Sequence, residues 1–426
     1  MRTRFLVSVA ISDLISLALA MMAASYIRFG TWLPWEANTP GAAPLGFLYV
    51  ALSMLAMSFL TEQMSGPGVP RPTYGRMVVI LLGTLFLTAG LLVLTRTNFS
   101  RSFIPLTAAL WLIPATIHRY VRRQRPWTEK FGVITREKSL ADDLHASDHA
   151  EVLWVMEPDA EAPAALPDRD VTIAVDLGAV LSESMARYLS SADVAGYSIR
   201  PFASSYEEHT GRVALVHLSE GWEISAPLLE VARWLPGKRI VDTLLTVVTA
   251  PIWGLMGLLV AAFVKVTDGS GPLFAQERVG LNGRVFTMFK FRTMDVDAER
   301  DGARFATEGD PRVIRGGAFL RRSRLDEIPQ LWNVLVGDMS LVGPRAEQVP
   351  FVSEFSRQIP FYDHRHFVRP GITGWAQVNY GYADGEADTI EKLTYDLFYI
   401  KHMSPVMDLR IFWKSIWTVV TGAGAR

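Results

Sequence analysis

Asp326 and Glu327 are adjacent carboxylates that follow Arg321, Arg322 and Arg324 within a few residues. Side chains next to each other on a helix point about 100° apart. One carboxylate can therefore attack while the other handles a proton or a metal at the same site. An aspartate becomes a plausible nucleophile for phosphorus once cations offset the repulsion between two anions. Lys290, Arg292, Arg321, Arg322, Arg324, Arg345 and Arg369 are the cations available, and guanidinium groups match phosphate oxygens in pairs. A divalent ion, magnesium by preference, would bridge carboxylate and diphosphate. Val342-Gly-Pro-Arg345 and Arg369-Pro-Gly-Ile-Thr-Gly374 have the glycines and prolines of tight loops, in which backbone amides and an arginine can approach an anion.

Composition limits what surrounds this chemistry. Half of the 426 residues are apolar, so part of the chain is expected in lipid. The chain has no cysteine, which excludes disulfides, thiolate catalysis and cysteine-bound metals. The net charge of −1 implies little, because the basic residues cluster. No nucleic-acid partner is expected.

The first quarter has four apolar stretches, Phe5 to Ile27, Leu45 to Leu60, Met77 to Leu94 and Phe103 to Ile117. Together they predict a four-helix membrane module over residues 1–125. Arginines cluster before the first stretch, between the second and third, and after the fourth, which places the N-terminus and everything beyond residue 118 in the cytoplasm. A cleaved signal peptide is the alternative for the first stretch. Asp13 within it is either functional or paired with polar groups of the bundle.

Residues 126–220 alternate short β-rich runs (Phe131 to Thr135, Glu151 to Met156, Val171 to Leu177) with helical ones such as Leu181 to Ala192. This predicts a small α/β domain with a parallel sheet. The turn after its first strand lacks the glycine that a pyrophosphate site would need, so a structural or oligomerising role is expected.

Ile240 to Val264 is long and apolar enough for a fifth span, but Pro251 lies near its middle and basic residues flank both ends. The segment reads as a re-entrant hairpin that enters and leaves one leaflet, with a kinked transmembrane helix as the alternative. Gly280-Leu-Asn-Gly283 between strand-like runs predicts a β-hairpin. Val406 to Val420 is an amphipathic helix, either interfacial or packed on the core.

Four segments resemble the bacterial sugar transferase family, the monotopic phosphoglycosyl transferases. They are Phe289-Lys-Phe-Arg-Thr-Met294, Arg324 to Val334, Gly337 to Arg345 and Val368 to Asn379, in a catalytic region spanning 238–426. The N-terminal part is similar to the larger members, whose four membrane helices precede a degenerate Rossmann-like domain. The resemblance therefore implies a membrane protein with three parts: a helical bundle, a small α/β domain, and an α-rich α+β catalytic domain with a re-entrant helix hairpin broken at Pro251.

The activity it implies is transfer of a sugar 1-phosphate from a UDP-sugar to undecaprenyl phosphate at the cytoplasmic face of the bacterial inner membrane. Asp326 would form a covalent phosphosugar intermediate, and Glu327 would assist through magnesium or the acceptor phosphate. Lys290, Arg292, Arg321, Arg324, Arg345, Arg369 and Gln377 would bind substrate. The partners implied are donor, acceptor and membrane lipids, and a homodimer through the N-terminal modules is expected. This chain has Ala346 where the family usually has proline after the arginine, and Ala250-Pro251 where it often has Ser-Pro.

Two other readings compete. Asp295 and Asp297 form an Asp-x-Asp, the metal-nucleotide pattern of glycosyltransferases that release a nucleoside diphosphate. A non-catalytic assembly scaffold would not need the carboxylates and arginines together.

Overall fold

A computed structural model of the protein describes residues 2–33, 36, 44–63, 74–97, 100, 102–124, 128–218, 226–269, 271–295, 310–380 and 386–421. The chain divides into two compact units, 1–210 and 211–426.

The first unit opens with four helices, α1 (Arg2–Phe29), α2 (Pro44–Gln63), α3 (Tyr74–Leu94) and α4 (Phe103–Gln124). Ile11–Phe29, Pro44–Thr61 and Met77–Leu94 are long and apolar enough to cross a membrane, as is Ala250–Asp268 in the second unit. These segments make the chain a membrane protein. The helix α4 forms as expected but is absent from this set, because Arg119, Arg122 and Arg123 in its last turns shorten its apolar run. Arg119 answers the question posed by Asp13. Its Nη1 and Nη2 donate to the two Asp13 carboxylate oxygens at 2.7 and 2.8 Å, and both side chains are buried. Ser58 adds a third bond at 3.3 Å. A charge buried among apolar helices needs such a partner.

The same unit continues through β1 (Glu129–Ile134), α5 (Lys138–His145), β2 (Ala150–Met156), β3 (Val171–Val175), α6 (Glu183–Val194), β4 (Ile199–Pro201) and α7 (Phe202–Thr210). The strands form a parallel sheet in the order β2-β1-β3-β4. Ile134, Ile173 and Val175 pack against Met185, Tyr188 and Ala192 of α6, while Phe131 meets His209 of α7 edge-on. Gly132 is required where it stands, since a Cβ there would lie 2.0 Å from the Trp154 ring.

The second unit begins with α8 (Ala226–Val248) and α9 (Ala250–Asp268), separated at Thr249. Pro251 therefore lies in the first turn of α9 and not within a continuous helix, a position where its missing N–H costs nothing. Two groups satisfy carbonyls near the break. Thr249 Oγ1 donates to Leu245 O at 2.7 Å, and Trp253 Nε1 donates to Thr246 O at 2.9 Å. They serve where a serine at Ala250 would have served. Next come β5 (Leu273–Val279) and β6 (Val285–Phe291), the expected antiparallel hairpin, with Asn282 in the left-handed region at φ 53°.

The remaining elements are α10 (Gly317–Arg322), α11 (Gln330–Val336), β7 (Ser340–Val342), α12 (Val349–Gln358), β8 (Gly371–Thr373), α13 (Trp375–Asn379), α14 (Glu386–Lys401) and α15 (Pro405–Thr421). The core gathers Val352, Phe355, Tyr362, Trp375, Leu397 and Ile411, among others, around α12, α14 and α15. Of the C-terminal helix, Met407 and Ile411 enter this core as expected for packing, while Phe412, Trp413 and Ile416 are exposed.

Candidate active site

Asp326 and Glu327 do not lie on an α-helix. They occupy a single 3-10 turn, Leu325–Glu327, between α10 and α11. Arg324 enters the left-handed region (φ 54°) and ends the preceding helix, and Pro329 leads into the next one. At three residues per turn, Leu325 and Ile328 fall on one side, against Val260 and Val264 of α9, which leaves the carboxylates on the others.

Glu327 is buried and held by two guanidinium groups. Arg345 Nη1 lies 3.0 Å from Oε1, and Arg324 Nη1 lies 3.5 Å from Oε2. Burial pushes the half-buried Asp326 carboxyl up to about 7 and the charge of Glu327 adds to the shift, while Lys290, Arg345 and Arg321 pull it down. Lys290 projects from β6, its ammonium 4.8 Å from the centre of the Phe274 ring. The fold thus gathers Lys290, Arg321, Arg324 and Arg345 around the pair.

The other predicted residues are placed differently. Arg369 Nε donates to Gly337 O, just past the end of α11, at 2.9 Å. Arg292 Nη2 donates to the Leu273 carbonyl on the neighbouring strand at 3.4 Å. Gln377 Nε2 donates to Ile372 O at 3.4 Å while its Oε1 is buried without a partner among the described residues. Gln377 also lines a cleft of about 210 Å³ beside the pair, with Arg324, Glu327, Ile328, Leu331, Ile372, Thr373, Val378 and Ser415. Asp295 is exposed, and Asp297 lies outside the described residues.

The glycines of the two loops join them to each other. A Cβ on Gly371 would lie 2.0 Å from the Gly343 nitrogen, and one on Gly343 would lie 2.5 Å from the Arg369 carbonyl. This backbone approach lets β7 and β8 pair in parallel and brings Arg345 against Gly371. Ala346, in place of the usual proline, is buried, and its carbonyl accepts from Arg278 Nη1 at 2.9 Å.

Sequence reasoning missed four residues that position the site. Asn333 acts as a piece of strand: its Nδ2 donates to Thr287 O (2.7 Å) and its Oδ1 accepts from Phe289 N (3.1 Å). This ties α11 to the strand that carries Lys290. Arg239 of α8 donates to the carbonyls of Val334 and Leu335 at the end of α11, the latter at 2.8 Å. Arg365, buried, donates to Tyr362 Oη, to the Arg345 carbonyl and to Asp396, and so anchors the backbone of a guanidinium that holds Glu327. An amide in the apolar run Leu331 to Val336 was the available signal for Asn333. For Arg365 and Asp396, 31 residues apart, there was none.

Comparison with known proteins agrees with these motifs. The bacterial sugar transferase family matches residues 233–422. The UDP-N-acetylgalactosamine-undecaprenyl-phosphate N-acetylgalactosaminephosphotransferase of Aeromonas hydrophila is 34% identical over 417 residues, covering 96% of this chain and 94% of that protein. The UDP-glucose:undecaprenyl-phosphate glucose-1-phosphate transferase of Xanthomonas campestris pv. campestris is 42% identical over 207 residues, 48% of this chain and 42% of that one. The exopolysaccharide production protein PSS of Rhizobium leguminosarum bv. phaseoli is 39% identical over 171 residues, 38% of this chain and 85% of that protein. With a relative matched over nearly its full length and the family match over residues 233–422, this chain belongs to the bacterial sugar transferase family.

Proposed function

We propose that this enzyme transfers a sugar 1-phosphate from a UDP-sugar to undecaprenyl phosphate, releasing UMP, as the first membrane step in building an exopolysaccharide or related glycan. The observation that carries the reading is the carboxylate pair within a ring of cations, on a turn packed directly against the apolar helix α9. The relatives named for such reactions support the general chemistry.

In the mechanism proposed, a carboxylate oxygen of Asp326 attacks the phosphorus that bears the sugar. The bond from that phosphorus to the oxygen of the nucleoside monophosphate breaks, and the monophosphate leaves with the electron pair. A phosphate oxygen of the lipid then attacks the same phosphorus and expels the carboxylate, giving the lipid diphosphate sugar. Lys290, Arg321 and Arg345 favour the ionised form of Asp326 and face the charge that grows on the phosphoryl oxygens. Arg345 and Arg324 hold Glu327 in place beside it.

Among the described residues no group of three or more metal-ligating side chains gathers, so a divalent ion would share its shell with substrate phosphates. The residues present fit magnesium on those terms: Asp326 and Glu327 supply hard oxygen donors whose mutual repulsion a cation would relieve. Bound there, the ion would neutralise diphosphate charge.

The hairpin reading of 240–264 is supported by the way both arms meet one domain. Near the start of the segment, Arg239 binds α11, Lys238 binds Asp408 of α15 at 2.7 Å, and Asp242 accepts from Ser340 at 2.7 Å. Near its end, Val260 and Val264 pack on Phe291, Ile314 and Leu320. Between these anchors the outward side chains are apolar and exposed, among them Leu244, Val248, Ile252, Leu255 and Leu259. Such a segment suits one leaflet, with the catalytic domain on the cytoplasmic face. The sheet of the first unit is read as a degenerate Rossmann-like module that serves structure or dimerisation.

Product analysis tests the reaction. Purified protein in lipid, with undecaprenyl phosphate, magnesium and a panel of UDP-sugars, should release UMP and a lipid diphosphate sugar, and chelator should stop it. Release of UDP would overturn the proposal.

A further inference from the structure

We infer that the cleft beside Glu327 receives the prenyl segment next to the phosphate of the lipid acceptor. This rests on the phosphosugar-transfer reading. Ile328, Leu331, Ile372 and Val378 give the cleft an apolar lining. Away from Arg324 and Glu327 its polar groups are already engaged or enclosed: Thr373 Oγ1 and Ser415 Oγ bond each other at 2.5 Å, Gln377 Nε2 donates to the Ile372 carbonyl, and Gln377 Oε1 is buried. A sugar or nucleobase placed there would lose hydrogen bonds to water without regaining them from these walls. A branched hydrocarbon loses nothing.

Position selects the occupant. Arg324 and Glu327 also line the cleft, and both flank Asp326 in the turn that carries the carboxylate pair. A chain lying along the cleft would bring its terminal phosphate to Arg324 and to the phosphorus held on Asp326. Ser415 of α15 lines the cleft, and the exposed Phe412 and Ile416 on that helix continue the apolar surface outward. On α11, Trp332 follows Leu331 and is also exposed. Exposed apolar side chains thus stand on the same two helices that contribute Leu331 and Ser415 to the cleft, and the rest of the acceptor would extend along them.

Two measurements test this. Wild-type protein in vesicles would be photolysed with a polyprenyl phosphate bearing a diazirine on the isoprene unit nearest the phosphate, and the labelled peptides mapped by mass spectrometry. Label should fall within 328–331 and 372–378. Label confined to other segments would overturn the inference, and because no turnover is needed the result stands apart from the fate of the reaction proposal. In steady state, Leu331→Gln, close in size but polar, should raise the KM for polyprenyl phosphate about tenfold, as expected for losing the burial of roughly two methylene groups, and leave the KM for the UDP-sugar unchanged. A rise confined to the donor KM would assign the cleft to the donor and refute the inference. Failure of the wild type to form any lipid diphosphate sugar would instead count against the reaction, with the photolabel still reporting on the cleft.

Discussion

Arg365 and Asp396 offer a test in which the structure sets the size of the effect. Their side chains are 6% and 2% exposed, and Nη2 lies 2.8 Å from Oδ2. Removing one partner of such a pair leaves the other as an uncompensated buried charge, worth about 3–5 kcal/mol. Arg365→Met should therefore cost at least that much. It also removes the donors to Tyr362 Oη and the Arg345 carbonyl, at roughly 1 kcal/mol each. Asp396→Leu should cost about 3–5 kcal/mol for the same reason. The double variant leaves no orphaned charge, so it should cost far less than the sum, with a coupling of about 3 kcal/mol or more between the sites. Chemical denaturation of the four proteins in detergent, followed through the transition of the C-terminal unit, measures that coupling. Additive costs would refute the reasoning. The double variant also separates stability from function. It should fold yet turn over about ten- to a hundredfold more slowly, because the Arg345 backbone has lost its anchor and the guanidinium on Glu327 is no longer fixed.

The remaining predictions concern single features. Asp326→Asn should abolish both turnover and any covalent phosphosugar adduct by mass spectrometry while leaving the fold intact; normal activity would remove Asp326 as the nucleophile. Gly371→Ala should destabilise the catalytic unit by about 1–3 kcal/mol or more and lower activity, since the new methyl would overlap the Gly343 backbone, and an unchanged thermal midpoint would show that the loops do not need this approach. Single cysteines at Pro236 and Lys265, both exposed, should be labelled by a membrane-impermeant maleimide from one side of the membrane only, whereas labelling from opposite sides would replace the hairpin by a crossing helix.

What could be read from the chain followed the range of the interactions. The hairpin of β5 and β6 announced itself because Asn282 and Gly283 carry the turn geometry in their own backbone preferences. Three of the four strands of the parallel sheet lay within a residue or two of their expected places, since a buried strand is a local run of apolar residues, while the three-residue β4 was too short to be read. The carboxylate pair was found by residue type, but its setting on a 3-10 turn was not, because that depends on Arg324 adopting a left-handed conformation ordinarily left to glycine. Arg369 illustrates the converse. Its type suggested phosphate, and its Nε also closes the end of α11, bonding a carbonyl 32 residues away that only the folded chain brings near. The roles of Gly343 and Gly371 were hidden for the same reason, as each leaves room for the other's loop.

The link between membrane helix and chemistry follows from two periodicities. Along β6 alternate residues face opposite ways, so Phe291 turns into the cluster with Val260 and Val264 of α9 while Lys290 turns away from it, toward Asp326. Along the catalytic turn, Leu325 and Ile328 face α9, and the carboxylates between them do not. The apolar contacts and the charges are thus consecutive residues on the same two short elements, and neither set can shift without the other. The consequence is that α9, a helix apolar enough for lipid, also forms the floor beneath the carboxylate pair. A catalytic domain cut free of α8 and α9 would expose Phe291, Ile314, Leu320 and Ile328 to water and lose the surface that sets the spacing between Lys290 and Asp326. Solubilising this enzyme by deleting α8 and α9 should therefore disorder the site, and replacing the outward apolar residues of α9 while keeping Gly257, Val260 and Val264 is the route that would preserve it.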